Sequence, residues 1–506
     1  MEKIKRLSFL LAFVVALVMF SSCSQKHKKY IPADSKVVGK IDLKAFLDQT
    51  GADGEKLIAD MKEYLGDDLG DIDKIKDIGI DVKVPIYIFG RGKGTNYTFG
   101  AVAKVDDKDK VKTWFKDNAK VNIDKEGDGF EYFAEGNSGI GLNGDALVII
   151  FSSSDDAKKE IKKVMGKEYD GDLGDNKVLE KVEDTKSFAC LYADLSIISE
   201  DIAKMLERQI PQFKESIEDM RKTIVGIDGY CSDGVCDFSY WVESEDEKVQ
   251  KKIDESLATL KEIDKKAIET IPNDAYAGFL ANIDGPKLSK NIDKSLKDFK
   301  LLDELPSEFQ NLYNSALSII GDINGNFAGY IVAPFDLMLA VESKGNTADK
   351  IAELLTELEN MSNSLPNEAF DSIAVAESEP YDDDDMSAQN DESLNFDFDS
   401  SSMQIEKTPD GYCYDSGTGS KLWFGDKNGA LYFTSNESMI PSVFKKADKP
   451  VPSELVSFAS SRRFMYFFSL GKLKDYTASL DKSVQGVFDA FDQIFSNINY
   501  ITFSMK

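Results

Sequence analysis

The chain has 506 residues, with 61 Lys and Arg against 90 Asp and Glu, which gives a formal net charge of -29. That length is enough for more than one domain, and the excess of acid excludes binding to a nucleic-acid backbone, which needs clustered cations. The single histidine, His27, lies near the N-terminus. We therefore expect no serine-histidine triad, no HExxH zinc site and no histidine general base.

The first residues have the pattern of an export signal. Lys3, Lys5 and Arg6 precede the uncharged stretch Leu7–Phe20, which falls short of the roughly 20 residues that span a bilayer. The sequence Phe-Ser-Ser before Cys23 resembles a lipobox, with Phe where Leu is usual. We expect residues 1–22 to be a lipoprotein signal peptide and Cys23 to be acylated and membrane-anchored; the alternative is an ordinary secretory signal.

Residues 23–30 are expected to form a lipidated tether. It carries Lys26, Lys28 and Lys29, which suit anionic lipid headgroups. Surface-exported lipoproteins of Bacteroidota usually carry an acidic run directly after the acylated cysteine. This tether is basic and does not resemble that run. The comparison implies a periplasm-facing outer-membrane location, with the cell surface as the alternative.

Four landmarks recur in the same order. Residues 31–43 resemble 271–284, residues 121–133 resemble 403–415, residues 142–156 resemble 425–438, and residues 187–195 resemble 463–470. We interpret this as an internal duplication, with a first α+β domain at 31–270 and a second at 271–506. No Lys or Arg occurs between Lys350 and Lys407, so about 365–402 is predicted to be a disordered acidic insertion.

The hydrophobic periodicity alternates between strand and helix patterns. Strands are predicted at 37–43, 84–89, 97–105, 129–133, 146–151, 188–194 and 223–230, and helices at 55–65, 108–117, 155–165, 199–220 (split by Pro211) and 246–270. Turns such as Asp128-Gly129 favour hairpins. The predicted fold class is α+β: two tandem copies of a mostly antiparallel sheet with helices on one face.

With its lipobox, the stretch IPADSKVVGKIDLKAF at 31–46 and its duplicated length, the chain resembles the Bacteroidota lipoproteins grouped as domain of unknown function 4836. The resemblance covers nearly all of the mature chain. It implies location and architecture, and it carries no catalytic motif.

Two loops resemble ligand sites. Asp124, Glu126, Asp128 and Glu135 fall at calcium-loop positions, but Glu131 stands where an apolar residue belongs, and the corresponding stretch at 406–411 lacks the ligands. A hairpin turn explains this loop better. The glycine-rich stretch 90–95 precedes a strand instead of the helix that phosphate binding needs, so it is predicted to be a hairpin connection. We expect no metal and no cofactor.

Two modifications are predicted. Asp233-Gly234 is a strong two-residue turn signal that places Cys231 opposite Cys236 at disulfide distance, with two reduced thiols as the alternative. Cys190 and Cys413 are expected to stay unpaired. Ser372, in Asp-Ser-Ile, is similar to the O-glycosylation acceptor of Bacteroidota, with a plain loop serine as the alternative.

The function favoured by the sequence is a non-catalytic outer-membrane lipoprotein that binds a protein partner or an envelope component. Its expected contacts are membrane lipid through Cys23 and an unknown envelope protein or glycan, without nucleic acid. The alternative is a carboxylate-dependent glycan hydrolase of the envelope. A hydrolase needs a cleft with two carboxyl groups about 5–10 Å apart, whereas a binding protein needs an exposed apolar patch or a groove between the copies.

Overall fold

The fold was determined as a computed structural model. The structure describes residues 26–52, 78–81, 83–93, 96–153, 156–169, 171–210, 213–298, 307–364, 404–415, 420–472 and 497–505. The predicted helix at 55–65 and the predicted acidic insertion at 365–402 lie outside these ranges.

Nineteen strands form one sheet in the described part of the chain. They are β1 Val37–Ile41, β2 Ile86–Lys93, β3 Asn96–Lys104, β4 Lys125–Glu126, β5 Glu131–Glu135, β6 Ser138–Leu142, β7 Ala146–Ser152, β8 Ala189–Asp194, β9 Thr223–Ser232, β10 Val235–Ser244, β11 Ala277–Asp284, β12 Ile323–Val332, β13 Asp336–Ser343, β14 Gln404–Thr408, β15 Gly411–Asp415, β16 Lys421–Lys427, β17 Ala430–Thr434, β18 Phe464–Ser469 and β19 Tyr500–Met505.

Most α-helices of the described ranges begin at an Asp, Asn or Ser cap. The helices are α1 Leu43–Thr50, α2 Lys108–Trp114, α3 Ala157–Gly166, α4 Lys177–Asp184, α5 Glu200–Gln209, α6 Lys214–Met220, α7 Glu247–Leu257, α8 Lys265–Ile268, α9 Gly285–Asp298, α10 Ser307–Asp322, α11 Thr347–Ser364 and α12 Ser453–Ala459. Short 3-10 helices include Lys26–Tyr30 and Glu437–Ser442.

The sheet is open, and its strand pairing is almost entirely antiparallel. Its spatial order is β4-β5-β6-β7-β3-β2-β1-β8-β9-β10-β19-β18-β11-β12-β13-β17-β16-β15-β14. The one parallel pair among the described strands is β10 with β19. Strands β1–β9 therefore pair with one another in the same pattern as β11–β19, and β10 lies between the two sets.

The two faces of the sheet can be followed along β7. Leu147 and Ile149 point to one face, which we call the front face, and Val148 and Ile150 point to the other, the back face, because side chains alternate along a strand. The front-face pair packs in a cluster with Phe46 of α1, Val111 of α2 and other apolar residues. The back-face pair packs in a cluster that includes residues of α3 and α4.

Helices thus cover both faces, and the predicted placement of helices on one face is wrong. The physical reason is visible in β7, whose sequence ALVIIFS is apolar at nearly every position and is buried on both sides. A strand that reads as a continuous apolar run requires cover on both faces. In the other part of the sheet, α11 packs on the front face, and α8 and α12 pack on the back face.

Most predicted elements are present, with two informative differences. The predicted helix at 246–270 is two helices, because α7 ends at Leu257 and Leu260 then bridges to Ile283 as isolated strand pairing. Strand β6 was missed because Gly139 and Gly141 weaken a strand pattern. The hairpin at Asp128-Gly129 is present, and β2 pairs antiparallel with β3 as far as Lys93 and Asn96, while residues 94–95 lie outside the described ranges.

Candidate interaction face

An open stretch of apolar side chains lies at the centre of the front face. Leu191 on β8 lies directly opposite Ile227 on β9, and Ile227 lies directly opposite Tyr240 on β10, so the three residues form a row across the sheet. The next row contains Phe503 and Tyr466, and a third contains Phe468. These six side chains, Leu191, Ile227, Tyr240, Tyr466, Phe468 and Phe503, are all exposed, and we call them the central apolar face.

The central apolar face is continuous. Tyr466 lies 4.8 Å from the Phe279 ring and 4.9 Å from the Phe464 ring, measured between centroids. Phe503 stacks on Phe238 at 5.6 Å and meets Phe468 edge to face at 6.5 Å. The aromatic contacts therefore join four adjacent strands, β10, β19, β18 and β11, into one surface.

Among the described residues nothing covers this surface, because the front-face helices lie at its two sides. Helices α1 and α2 cover the region of β3 and β7, and α11 covers the region of β13 and β17. Between them Tyr466 keeps 45 % and Leu191 keeps 43 % of its surface exposed. Large contiguous apolar patches of this kind mark interaction sites on soluble domains.

The back face of the same strands buries a carboxylate, Asp228 on β9. Its oxygens accept hydrogen bonds from the Tyr192 hydroxyl at 2.6 Å, the Ser187 hydroxyl at 2.9 Å and the Trp241 indole N–H at 3.1 Å. Burial, followed by this contact with Asp228, raises the pKa of Tyr192 above its ordinary value. Hydrogen-bond donors offset the cost of burying the carboxylate, so Asp228 contributes to the core.

A second buried carboxylate, Asp237 on β10, joins the two sets of strands. It accepts hydrogen bonds from Thr502 at 2.9 Å and Ser504 at 3.0 Å, both on β19, and from the Arg462 guanidinium at 3.2 Å. Burial raises the pKa of Asp237, while Arg462 acts in the opposite direction. The arrangement fixes the parallel β10–β19 junction that lies beneath the central apolar face.

The cysteines lie at two kinds of site. Ser232 pairs with Val235 and Cys231 with Cys236, as the Asp-Gly turn predicts, and Asp233 and Gly234 both have positive φ. A disulfide bridge joins Cys231 to Cys236, with 4.1 Å between their Cα atoms. Cys190 and Cys413 are buried free thiols.

The N-terminal segment from Lys26 onward is part of the folded body. His27 is fully buried, its Nε2 donates to the Pro85 carbonyl at 3.0 Å, and its ring contacts Tyr87 at 5.6 Å. Burial lowers the pKa of His27. Lys28 pairs with Glu183 and Lys29 with Asp145, so two of the three tether lysines are engaged by carboxylates of the body.

One cleft of about 500 Å³ lies at the C-terminal end of α7. Its lining includes two carboxylates, Asp254 and Glu262, and the guanidinium of Arg463. Carboxyl groups in a cleft are the residue type that a glycan hydrolase, the alternative function, requires. Among the described residues, no group of three or more His, Cys, Asp or Glu side chains is arranged to hold a metal ion.

Several predicted site residues lie outside the described ranges. They are the acylation residue Cys23, the glycosylation candidate Ser372 and the signal peptide. The sequence analysis missed the central apolar face and both buried carboxylates. A signal for the face was present in the segment 463–470, whose consecutive aromatic residues exceed what one buried face can use.

The fold and this face define a mixed α/β protein with a large, mostly antiparallel sheet that presents an apolar surface. A family model described as Domain of unknown function (DUF4836) matches residues 27–470, and the chain belongs to that family. No curated protein and no solved structure matches the chain. In the described ranges, no helix is both long and apolar enough to cross a membrane.

Proposed function

We propose that this protein is a non-catalytic, lipid-anchored binding protein of the outer membrane, facing the periplasm, and that it holds a protein partner on the central apolar face. The single observation that carries the proposal is the continuous exposed surface of Leu191, Ile227, Tyr240, Tyr466, Phe468 and Phe503. The buried carboxylates Asp228 and Asp237 serve the core beneath it, so the sheet offers hydrophobic contact at this place instead of acid–base chemistry.

The size of the hydrophobic term supports binding. Burying a large apolar side chain completely contributes about 1.5–3 kcal/mol, and these side chains are about half buried already. Covering all six would therefore contribute about 6 kcal/mol. That is comparable with the cost of association, about 4–15 kcal/mol, so the partner must add polar contacts at the rim. An exposed apolar sheet face fits a partner that presents an apolar helix or strand face.

A photo-crosslinking amino acid in place of Tyr240 tests the proposal in intact cells. The expected result is a discrete adduct with another protein, because Tyr240 lies within the central apolar face. The matched control replaces Phe335, an exposed aromatic residue at the β12–β13 hairpin and outside that face. Equal adducts from both positions would contradict the proposal. So would an adduct confined to the chain itself, for example to residues 473–496.

Anchoring is the second part of the proposal. Its support is the lipobox-like sequence that ends at Cys23, only three residues before the folded segment that begins at Lys26. Cys23→Ser should abolish labelling by a fatty-acid analogue and release the protein from the outer membrane. A wild-type chain that never incorporates the analogue would refute this part while leaving the central apolar face untouched.

We also propose that the architecture arose by duplication, with β1–β9 corresponding to β11–β19. Support comes from the pairing pattern, because each pairing within the first set has a counterpart in the second. The four recurrent sequence landmarks begin at or near strands that hold corresponding positions, such as β1 and β11 or β8 and β18. On this proposal the central apolar face lies where the two copies meet.

A further inference from the structure

We propose that α3 and the N-terminal 3-10 helix form a basic surface that rests on anionic lipid headgroups. The basic surface consists of Lys26, Lys158, Lys159, Lys162, Lys163 and Lys167. The proposal rests on the lipid attachment proposed above, and it adds which side of the body faces the membrane.

The N-terminal 3-10 helix contacts the C-terminal end of α3 through the cap residue Lys167 and through Tyr169, which follows it. The Lys167 ammonium lies 5.9 Å from the centre of the Tyr30 ring, and the Tyr169 hydroxyl donates to the Lys29 carbonyl. Tyr30 also packs in the same core cluster as Ile161 and Val164 of α3. The N-terminal segment is therefore fixed against α3.

The charge of this surface is opposite to that of the whole chain. Five of its six lysines are exposed and Lys163 is half-buried. Among the described residues none of the six has an ion-pair partner, whereas Lys28 and Lys29 are both paired. The single acid of α3, Glu160, faces Arg91 at 3.8 Å. Asp145, which is near Lys26 and Lys167, is already paired with Lys29. With a net charge of -29 overall, an anionic membrane repels the molecule as a whole and attracts it at this surface.

The short distance between Cys23 and the basic surface favours the membrane as the partner of that surface. Two residues, Ser24 and Gln25, separate Cys23 from Lys26, which makes three steps along the chain, and an extended chain covers at most about 3.6 Å per step. The acylated cysteine therefore lies within about 11 Å of Lys26. That distance is comparable with the screening length of about 8 Å in physiological salt. An acyl chain inserted in the bilayer would hold the basic surface within reach of the headgroup phosphates.

The test uses the full mature chain with Cys23→Ser, so that no acyl group contributes. Binding is measured to vesicles of phosphatidylcholine with and without phosphatidylglycerol. We expect binding that requires phosphatidylglycerol and weakens as salt rises. Because each lysine near an anionic surface changes the affinity about five-fold, Lys158→Glu with Lys159→Glu should weaken binding by at least about twenty-fold. The carboxylate introduced by Lys158→Glu would face Lys162 one turn later, which supports the helix.

The matched control is Lys248→Glu with Lys251→Glu on α7, which changes the net charge equally at two other exposed lysines. It should leave binding within about two-fold, and circular dichroism should show that both variants fold. Equal weakening by both pairs, or absence of wild-type binding, would overturn the proposal. Binding that appears only after deletion of the acidic residues 377–400 would overturn it in favour of an intramolecular contact. Because the vesicle assay needs no acyl group, its failure is separate from a failure of Cys23 labelling.

Discussion

The carboxylate of Asp237 accepts a hydrogen bond from the hydroxyl of Thr502 at 2.9 Å, across 265 residues of sequence. The contact crosses the parallel β10–β19 pair, where the first set of strands meets the second. Arg462, two residues before β18 begins at Phe464, reaches the same carboxylate. One buried acid thus connects β10, β19 and the segment that leads into β18, directly behind the central apolar face.

Removing Arg462 should destabilise the fold, because the carboxylate of Asp237 would remain buried without its cation. Breaking a buried pair in this way costs about 3–5 kcal/mol, and we expect Arg462→Met to lower the free energy of unfolding by about 3 kcal/mol. Urea unfolding measures the change. In Asp237→Asn combined with Arg462→Met, the loss should be smaller than the sum of the single losses. Additive losses would show that the two side chains act independently.

The same pair predicts a pH dependence. Burial raises the pKa of Asp237 above its unfolded value of 3.8. The stabilisation from this group is therefore fully present below pH 3.8 and is lost as the pH rises through the folded pKa. Without Arg462 the folded pKa should rise further. The destabilisation of Arg462→Met should accordingly be smaller at about pH 5 than at about pH 8, and an unchanged difference would argue against the buried charge as its cause.

Tyr192→Phe tests the second buried carboxylate. The variant removes a hydrogen bond of 2.6 Å to Asp228, and hydrogen bonds to charged groups contribute about 1.5–3 kcal/mol. We expect a loss of about 2 kcal/mol in the free energy of unfolding. Tyr240→Phe, an exposed tyrosine on the neighbouring front face, is the control and should change stability by less than about 0.5 kcal/mol. Equal effects would show that the Asp228 contact contributes nothing specific.

The sequence predicts local features of this fold better than its overall arrangement. The turn chemistry of Asp233-Gly234 sets the register that pairs Cys231 with Cys236, because a two-residue turn determines which residues face each other. Helix bounds near α2 and α3 follow from spacing and from the Asp107 and Asp156 caps. These signals lie within a few residues of one another.

The overall arrangement of the strands and helices depends on contacts between residues that are far apart in the sequence, so no short stretch of sequence contains both partners. The joining of β10 to β19 involves Asp237 and Thr502, and neither residue carries a local sign of its partner. Likewise, exposure of Tyr466 depends on where α1, α2 and α11 pack, so an aromatic strand residue reads as core in the sequence. The β7 run ALVIIFS did contain the sign of two covered faces, and it was the expectation of an antiparallel sheet with one solvated face that was wrong.

A non-reducing digest should distinguish the disulfide-bonded cysteines from the free ones. We expect one crosslinked species, Cys231 with Cys236, and slow alkylation of Cys190 in the native protein. Burial raises the pKa of the Cys190 thiol to about 11, so little thiolate, the reactive form, is present near about pH 8. Alkylation after unfolding is the control and should be fast at Cys190 and Cys413. A crosslink between Cys190 and Cys236 would contradict the β9–β10 register.

His27 should report how firmly the N-terminal segment is packed. It is the single histidine of the chain, so its imidazole signals in a nuclear magnetic resonance titration are unambiguous. Burial lowers its pKa below the ordinary value of 6.5, with Lys104 and Lys28 acting in the same direction and the Pro85 carbonyl and Asp81 opposing. The stabilisation is therefore present above pH 6.5 and is lost as the pH falls through the folded pKa. Acidification places a charge on the buried ring, so it should destabilise the packing of the N-terminal segment and increase hydrogen exchange over residues 26–30. His27→Phe should remove that pH dependence, whereas a titration midpoint at or above 6.5 would show that the segment is not packed as described.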